Sequence, residues 1–148
     1  APVGAPSGRP GWLVYALRDL RFEAPAGWRA AGGERRAALE APDGRARLEV
    51  SYKDGEFADE RACLAAAEAK LRERAGALER ARRHPTRLGG ASGHALEGDR
   101  GGWHVWAWAA CDGLVQYRLF LTAATPASAE AVEAQQTLVA SARIGGQA

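Results

Sequence analysis

The sequence has no apolar run long enough to cross a membrane. A spanning helix needs about 20 predominantly apolar residues, whereas the longest apolar run here, WLVYAL at 12–17, has the length of a strand. Methionine is absent, lysine occurs only at positions 53 and 70, and the net charge is only +2. We therefore expect no transmembrane segment, and the charge balance does not require a polyanionic partner.

Motifs for catalysis and metal binding are also missing. His84, His94 and His104 show no metal-ligand spacing, and the sequence contains no HExxH, CxxC or GxSxG motif. The segment LGGASG at 88–93 lacks the Lys-Ser/Thr of a P-loop and a following helix, so it indicates a bend into a strand. We expect no catalytic residue, no cofactor and no metal, and hence a protein that is not an enzyme.

What is present is the composition of one globular domain. The chain has 148 residues, of which 47% are apolar and 26% charged, which is enough to bury a core. Residues 1–11 are rich in proline, glycine and alanine, so we expect a flexible lead before a single domain at 12–145. The start at Ala1, without methionine, fits either a mature exported chain whose signal peptide is removed or a trimmed fragment.

Turn and helix signals predict an α+β fold with a mainly antiparallel sheet. The PDG sequence at 42–44, flanked by alternating apolar residues, indicates a β-hairpin. A 3.6-residue apolar stripe with acidic residues at its start predicts one long helix over 58–76, with a pattern that extends to about Arg82. A C-terminal helix is predicted over 126–140, with Thr125 as its N-cap.

The stretch GGWHVWAWAACDG at 101–113 is expected to be a strand, and it holds three of the five tryptophans. Asp112-Gly113 predicts a two-residue turn that places Cys111 opposite Leu114. Directly opposed residues share a sheet face, so the hairpin has one aromatic face and one face of small and polar residues. The aromatic face comprises Trp106, Trp108, Val115, Tyr117, Leu119 and Leu121, and the small face comprises Ala107, Ala109 and Cys111 beside Gln116 and Arg118.

Two interpretations of the tryptophans remain open. Each buried aromatic side chain contributes roughly 2–3 kcal/mol, so packing of the aromatic face against the C-terminal segment or the N-terminal strands explains them. The alternative is a ligand-stacking surface formed by Trp103, Trp106 and Trp108. The sequence favours the core.

The two cysteines are expected to form a disulfide. An exported chain with two cysteines favours one bond, whereas in the cytosol they would be two buried thiols. Cys63 flanks the helix stripe, and Cys111 lies on the small face, which admits an alanine-rich helix at close distance. We predict a Cys63–Cys111 disulfide that holds the helix on the sheet.

Arginines form the densest charge cluster. The cluster is either a solvated helix end, where cations complement the helix dipole, or a docking patch for an acidic protein, anionic lipid or nucleic acid. Nucleic-acid binding is not expected, because the aromatic residues that it would require lie elsewhere in the sequence. The candidate docking patch comprises Arg72, Arg74, Arg80, Arg82, Arg83 and Arg87.

The order of the elements points to a known family. The segment LRFEAPAGW at 20–28, the PDG hairpin and one long amphipathic helix are followed by RLGGASGHALEG at 87–98 and a C-terminal helix ending in LVASARI at 138–144. Over about 12–145, this order resembles the PsbP/Mog-type superfamily, which includes the DcrB-like envelope proteins. The resemblance implies an antiparallel sheet packed by helices, in a superfamily of mostly non-catalytic accessory and assembly proteins, many of them exported. No shared active site exists in the superfamily, so the resemblance implies no functional residue.

Three functions follow as hypotheses. The first is a non-catalytic accessory or binding module of the bacterial cell envelope, exported to the periplasm or envelope and acting through contacts with another envelope protein. The second is a small-molecule or lipid carrier that uses a tryptophan-lined cleft. The third is an enzyme of unrecognised type, which requires polar groups that converge on a histidine in a cleft.

Overall fold

A computed structural model describes residues 2–145, which form two antiparallel sheets and two helices. The elements, in chain order, are β1 (Ala5–Pro6), β2 (Trp12–Leu17), β3 (Leu20–Pro25), β4 (Arg29–Gly32), β5 (Arg36–Glu40), β6 (Ala46–Lys53), α1 (Glu60–Ala75), β7 (Glu79–Leu88), β8 (Ala91–Arg100), β9 (Trp103–Asp112), β10 (Val115–Ala124), α2 (Ala129–Ser141) and β11 (Arg143–Ile144). The small sheet has the order β1-β2-β3-β11, and the large sheet has the order β4-β5-β6-β10-β9-β8-β7. The predicted α+β fold with mainly antiparallel strands is confirmed.

The main core lies between the two sheets. Trp108 and Tyr117 on the large sheet are buried in one cluster with Leu20 and Phe22 of the small sheet and with Leu138 of α2. The aromatic face of the β9–β10 hairpin therefore packs on the N-terminal strands and the C-terminal helix. We call this face of the large sheet the core side.

A second, smaller core lies on the opposite face, which we call the helix side. Cys63, Ala67 and Leu71 of α1 pack against Ala107 and Ala109 of β9. Alanine side chains let the helix approach the strand closely enough for a disulfide. Cys63 and Cys111 are bonded, with their Cα atoms 6.2 Å apart, which confirms the predicted pairing.

The cap of α1 agrees with its predicted start. The Asp59 carboxylate accepts a hydrogen bond from the Ala62 N–H at 2.8 Å, and Gly76 follows the last helical residue. The extension of the helix toward Arg82 was wrong, because strand β7 begins at Glu79.

The N-cap of α2 is Ser128 and not Thr125. Ser128 Oγ accepts a hydrogen bond from the Ala131 N–H at 3.1 Å. The Thr125 N–H and hydroxyl both donate to the Gly102 carbonyl, at 2.8 and 3.0 Å, so this residue is bound to the β8–β9 turn instead.

The β9–β10 turn lies one residue further along the chain than predicted. Asp112 pairs with Val115 and Cys111 with Gln116, so the turn consists of Gly113 and Leu114. Gly113 has a φ of +59°, the sign that the first central position of a type II′ turn requires. The partners shift by two positions, and a shift of two leaves every side chain on its predicted face.

Part of the lead that was predicted to be flexible forms a strand. Ala5 and Pro6 pair with Val14 and Leu13, which makes β1 an edge of the small sheet. Within residues 2–145, no helix combines the length and apolar character needed to cross a bilayer.

Candidate binding surface

The structure divides the predicted arginine patch between two elements. Arg72 and Arg74 lie on α1, whereas Arg80, Arg82, Arg83 and Arg87 lie on β7. The interpretation of the cluster as a helix end was therefore wrong for four of the six residues. β7 is an edge strand with nearly every side chain exposed, and arginines on such an edge discourage pairing with another chain.

Alternation along β7 also points its arginines to different sides of the large sheet. Arg82 is opposite Glu97 and pairs with it at 3.4 Å, whereas Arg83 is opposite Leu96, which belongs to the helix-side core. Other members of the patch are also paired: Arg72 with Glu68 at 2.8 Å and Arg80 with Asp99 at 3.0 Å. The six arginines therefore do not form one continuous positive surface.

His104 lies between two carboxylates on the core side. Its Nδ1 is 2.8 Å from Asp99 Oδ1 and its Nε2 is 2.8 Å from Glu97 Oε2, while Trp106 contacts the ring edge-on at a centroid distance of 4.5 Å. The hydrogen bond with His104, followed by that with Arg80, lowers the pKa of Asp99. Because both ring nitrogens face a carboxylate, the imidazole acts as a cross-strand link. Across residues 2–145, no group of three or more His, Cys, Asp or Glu side chains is arranged to hold a metal ion.

The three candidate tryptophans do not share a cleft. Trp108 is buried on the core side, where Trp106 is half-buried against the same core. Trp103 lies on the helix side and is 41% exposed. The stacking surface predicted from all three is therefore not formed, because alternation along β9 separates Trp103 from the other two.

A concave surface remains uncovered on the helix side. Helix α1 lies mainly over β8 and β9 and covers only the start of β10, so no other described helix or strand covers the rest of β10, β6 and β5 on this side. Adjoining depressions run along the uncovered strands beside α1, and we call them together the open groove. Six residues each line two of these depressions and so join them: Glu49, Lys70, Arg74, Arg100, Phe120 and Thr122.

The most enclosed part of the open groove is a cavity of about 360 Å³ beside the C-terminal end of α1. Its apolar lining includes Leu78, Leu96, Val105 and Phe120. The Arg74 guanidinium lies over the Phe120 ring, with its central carbon 4.6 Å from the ring centroid. Trp103 lines the depression at the other end of the groove.

The cations of the open groove are only partly neutralised. Glu49 pairs with Arg36 at 3.5 Å and with Arg47 at 3.2 Å, and Arg47 also pairs with Glu40 at 3.4 Å, so both arginines have a carboxylate partner. Four further cations have no ion-pair partner among the residues that the structure describes: Lys70, Arg74, Arg100 and Arg118.

Arg118 is the most desolvated of these cations. Burial lowers the pKa of its guanidinium, and its Nε donates a hydrogen bond to Gln116 Oε1. The carboxylates of Glu56 and Glu73 act on this charge from a distance, and neither forms a close ion pair with it. An incoming carboxylate at hydrogen-bond distance would replace hydration that the half-buried guanidinium has lost. The open groove therefore favours a ligand that is both anionic and partly apolar.

Sequence reasoning did not single out the groove as a site. Lys70 comes from α1, Arg100 from the end of β8, and Arg118 and Phe120 from β10. These residues are distant in sequence and form no motif. The one available signal was the half-polar character of the small face, on which Arg118 was correctly placed.

Comparisons with known proteins identify the fold. No protein-family model matches the sequence, and no curated protein matches it at a significant level. The structure is similar to a cyanobacterial PsbP (CyanoP) from Synechocystis, with a TM-score of 0.65 and 12% sequence identity over 96% of this chain and 97% of that one. It is also similar to a protein from Bacteroides thetaiotaomicron, with a TM-score of 0.57 and 13% identity over 85% of this chain. That match spans only 45% of the Bacteroides protein. At these identities the shared property is the fold, which is PsbP-like.

Proposed function

We propose that this protein is a non-catalytic accessory protein of the bacterial cell envelope that binds another envelope protein through the open groove. The observation that carries the proposal is the set of unpartnered cations around an apolar floor on an uncovered sheet face. The PsbP-like fold supports an accessory role by analogy, in line with the resemblance to DcrB-like envelope proteins. A disulfide supports an exported location, since such bonds persist mainly in oxidising compartments.

The arrangement of the polar groups supports binding over catalysis. Both nitrogens of His104 are engaged by carboxylates, and both cysteines are joined to each other. Among the described residues that line the open groove, there is no histidine or cysteine to serve as a base or nucleophile. The carrier hypothesis has less support, because only Trp103 lines the open groove, whereas Trp108 lies in the core and Trp106 packs against it.

Photocrosslinking in the native envelope tests the proposal. A photoreactive amino acid replaces Thr122 in the open groove, and a matched variant carries it in place of Glu133, which is exposed on α2. We expect a discrete crosslinked envelope protein from position 122 and none from position 133. Equal crosslinking at both positions, or none at position 122, would contradict the proposal. Substrate turnover that is lost on substituting one histidine would also contradict it.

A further inference from the structure

The proposed function does not specify the chemistry of the partner. The lining of the open groove indicates which chemistry the partner must have. We propose that the groove binds an acidic peptide segment of the partner in extended conformation, with one large apolar side chain in the cavity at the end of α1. The peptide carboxylates would pair with the four groove cations that have no ion-pair partner, which are Lys70, Arg74, Arg100 and Arg118. This inference rests on the proposed function and specifies the ligand of the same surface.

Contacts within the cavity define the apolar anchor. Leu78, Leu96 and Val105 line the floor, and the Phe120 ring forms one wall beneath the Arg74 guanidinium. A volume of about 360 Å³ accommodates a leucine or phenylalanine side chain. The anchor therefore enters an apolar site whose rim is cationic, so an acidic residue next to the anchor meets a complementary charge.

Acidic residues between the cations argue for a peptide over a uniform polyanion. Glu40, Glu49 and Glu73 all lie in the groove lining. Nucleic acid or an anionic bilayer would bring closely spaced phosphates onto these carboxylates, and each such contact is repulsive. A peptide can place acidic side chains opposite the cations and neutral ones opposite the glutamates.

Dimensions of the groove also match an extended peptide. The groove runs along β10 from Arg118 to Thr122, a rise of four residues or about 13 Å. Four extended residues span about the same distance. The cavity is lined by both the sheet and the end of α1, so a side chain that enters it is contacted from both.

A defined probe tests this inference on the intact, disulfide-bonded protein. The probe is a fluorescein-labelled decapeptide of alternating glutamate and serine with one central phenylalanine, and binding is measured by fluorescence anisotropy. We expect affinity that falls as salt rises. The triple variant Lys70→Glu/Arg74→Glu/Arg100→Glu should bind at least tenfold more weakly, and replacing the phenylalanine of the probe by serine should also weaken binding several-fold.

The matched control is Arg21→Glu/Arg61→Glu/Arg83→Glu, which makes the same change in net charge at exposed positions outside the groove. Its affinity for the probe should stay within threefold of the parent, and thermal melts should show both triple variants folded. Equal losses in the two variants would overturn the inference, because they would indicate long-range attraction alone. Absence of peptide binding would overturn it too, as would RNA or phosphatidylglycerol vesicles that bind in its place.

The two proposals can fail separately. If position 122 crosslinks to an envelope protein while the acidic peptide does not bind, the ligand class is wrong and the proposed function stands. If the peptide binds and no envelope protein is crosslinked, the groove chemistry is right and the envelope role is wrong.

Discussion

The side-chain amide of Gln116 donates a hydrogen bond to the backbone carbonyl oxygen of Cys63, at 3.1 Å. Gln116 lies opposite Cys111 in the β9–β10 ladder, so this hydrogen bond and the disulfide fasten the same turn of α1 to neighbouring strands. The amide oxygen of Gln116 accepts a hydrogen bond from Arg118. One fully buried side chain thus connects the helix anchor to the most desolvated cation of the open groove.

The Gln116→Leu variant should be less stable than the parent by about 1–3 kcal/mol. Leucine fills a similar volume, but it leaves Arg118 without its acceptor and Cys63 without its side-chain donor, and unsatisfied buried groups carry that cost. Urea unfolding under non-reducing conditions measures the change. Gln136→Leu, at an exposed position of α2, is the control and should change stability by less than about 0.5 kcal/mol. Equal effects of the two variants would contradict the structural role of Gln116.

Removing the disulfide should destabilise the fold without unfolding the sheets. Cys63 and Cys111 are 48 residues apart, and the chain-entropy model gives a loss of about 4 kcal/mol for a loop of that length. The Cys63→Ala/Cys111→Ala variant should therefore melt on the order of 10 °C lower. Far-UV circular dichroism before the melt should match that of the parent. An unchanged melting temperature would show that the bond contributes little.

Alanine at Gly93 should be strongly destabilising. A Cβ atom at this position of β8 would lie 2.2 Å from the Ala109 carbonyl oxygen and 2.6 Å from the Ala110 Cα, and both are backbone atoms of the adjacent strand. We expect a loss of about 3 kcal/mol, the upper end of the usual cost of overpacking, since the strands must separate to admit the methyl group. Gly102→Ala is the matched control, because a Cβ there meets no atom within 4 Å. Comparable stability of the two variants would contradict the packing of β8 on β9.

Two tryptophan substitutions should differ in their cost to stability, because one residue lies in the core and the other lines the open groove. Trp108→Ala removes a buried side chain and should cost about 3–5 kcal/mol. Trp103→Ala removes a partly exposed side chain and should cost about 1 kcal/mol. Denaturant titrations measure both values. A larger loss for Trp103 than for Trp108 would reverse the assignment of these residues to surface and core.

The contribution of Asp54 to stability should depend on pH in the acid range. Hydrogen bonds from Arg35, at 2.7 Å, and from Arg18 lower the pKa of this carboxyl group. A lowered pKa means that the stabilisation is complete above the ordinary value, about 3.9, and is lost as pH falls through the lower value in the folded state. The difference in melting temperature between the parent and Asp54→Asn should therefore shrink below about pH 4.

Melts from pH 2 to pH 7 measure this difference. Arg35→Gln serves as the partner in a double-mutant cycle, and its effect should be smaller in the Asp54→Asn background than in the parent. A melting-temperature difference that stays the same down to pH 2 would show that the ion pair does not form.

Local patterns in the sequence were sufficient to predict which residues share each face of the β9–β10 hairpin and that the two cysteines form a disulfide. Side chains alternate along a strand with a period of two, so Cys111 stayed with Ala107 and Ala109 even though the turn was misplaced by one residue. The small face then had room for a helix, and the helix carries the other cysteine. Burial of Cys63 is complete, although the sequence placed it at the edge of the helix stripe.

Strand β7 was missed because its residues show no alternation. Its arginines and Pro85 are exposed on both faces of an edge strand, so neither face carries the apolar signal by which strands are recognised. Pairing with β8, through partners such as Pro85 and His94, is a long-range property that the local pattern does not contain.

The sequence by itself determined the α+β class, the antiparallel hairpins, the long helix and the two faces of the central hairpin. Each depends on turn residues or on periodicity within one short segment. Only the tertiary structure decided which face stays uncovered and which charges remain unpartnered. Arg100 and Arg118 became neighbours of Lys70 and Phe120 because α1 lies mainly over β8 and β9 and leaves the helix side of β10 only half-buried beyond Gln116. Whether a cation is paired depends on distances between elements that are remote in the chain, and those distances are fixed only when the sheets and helices pack.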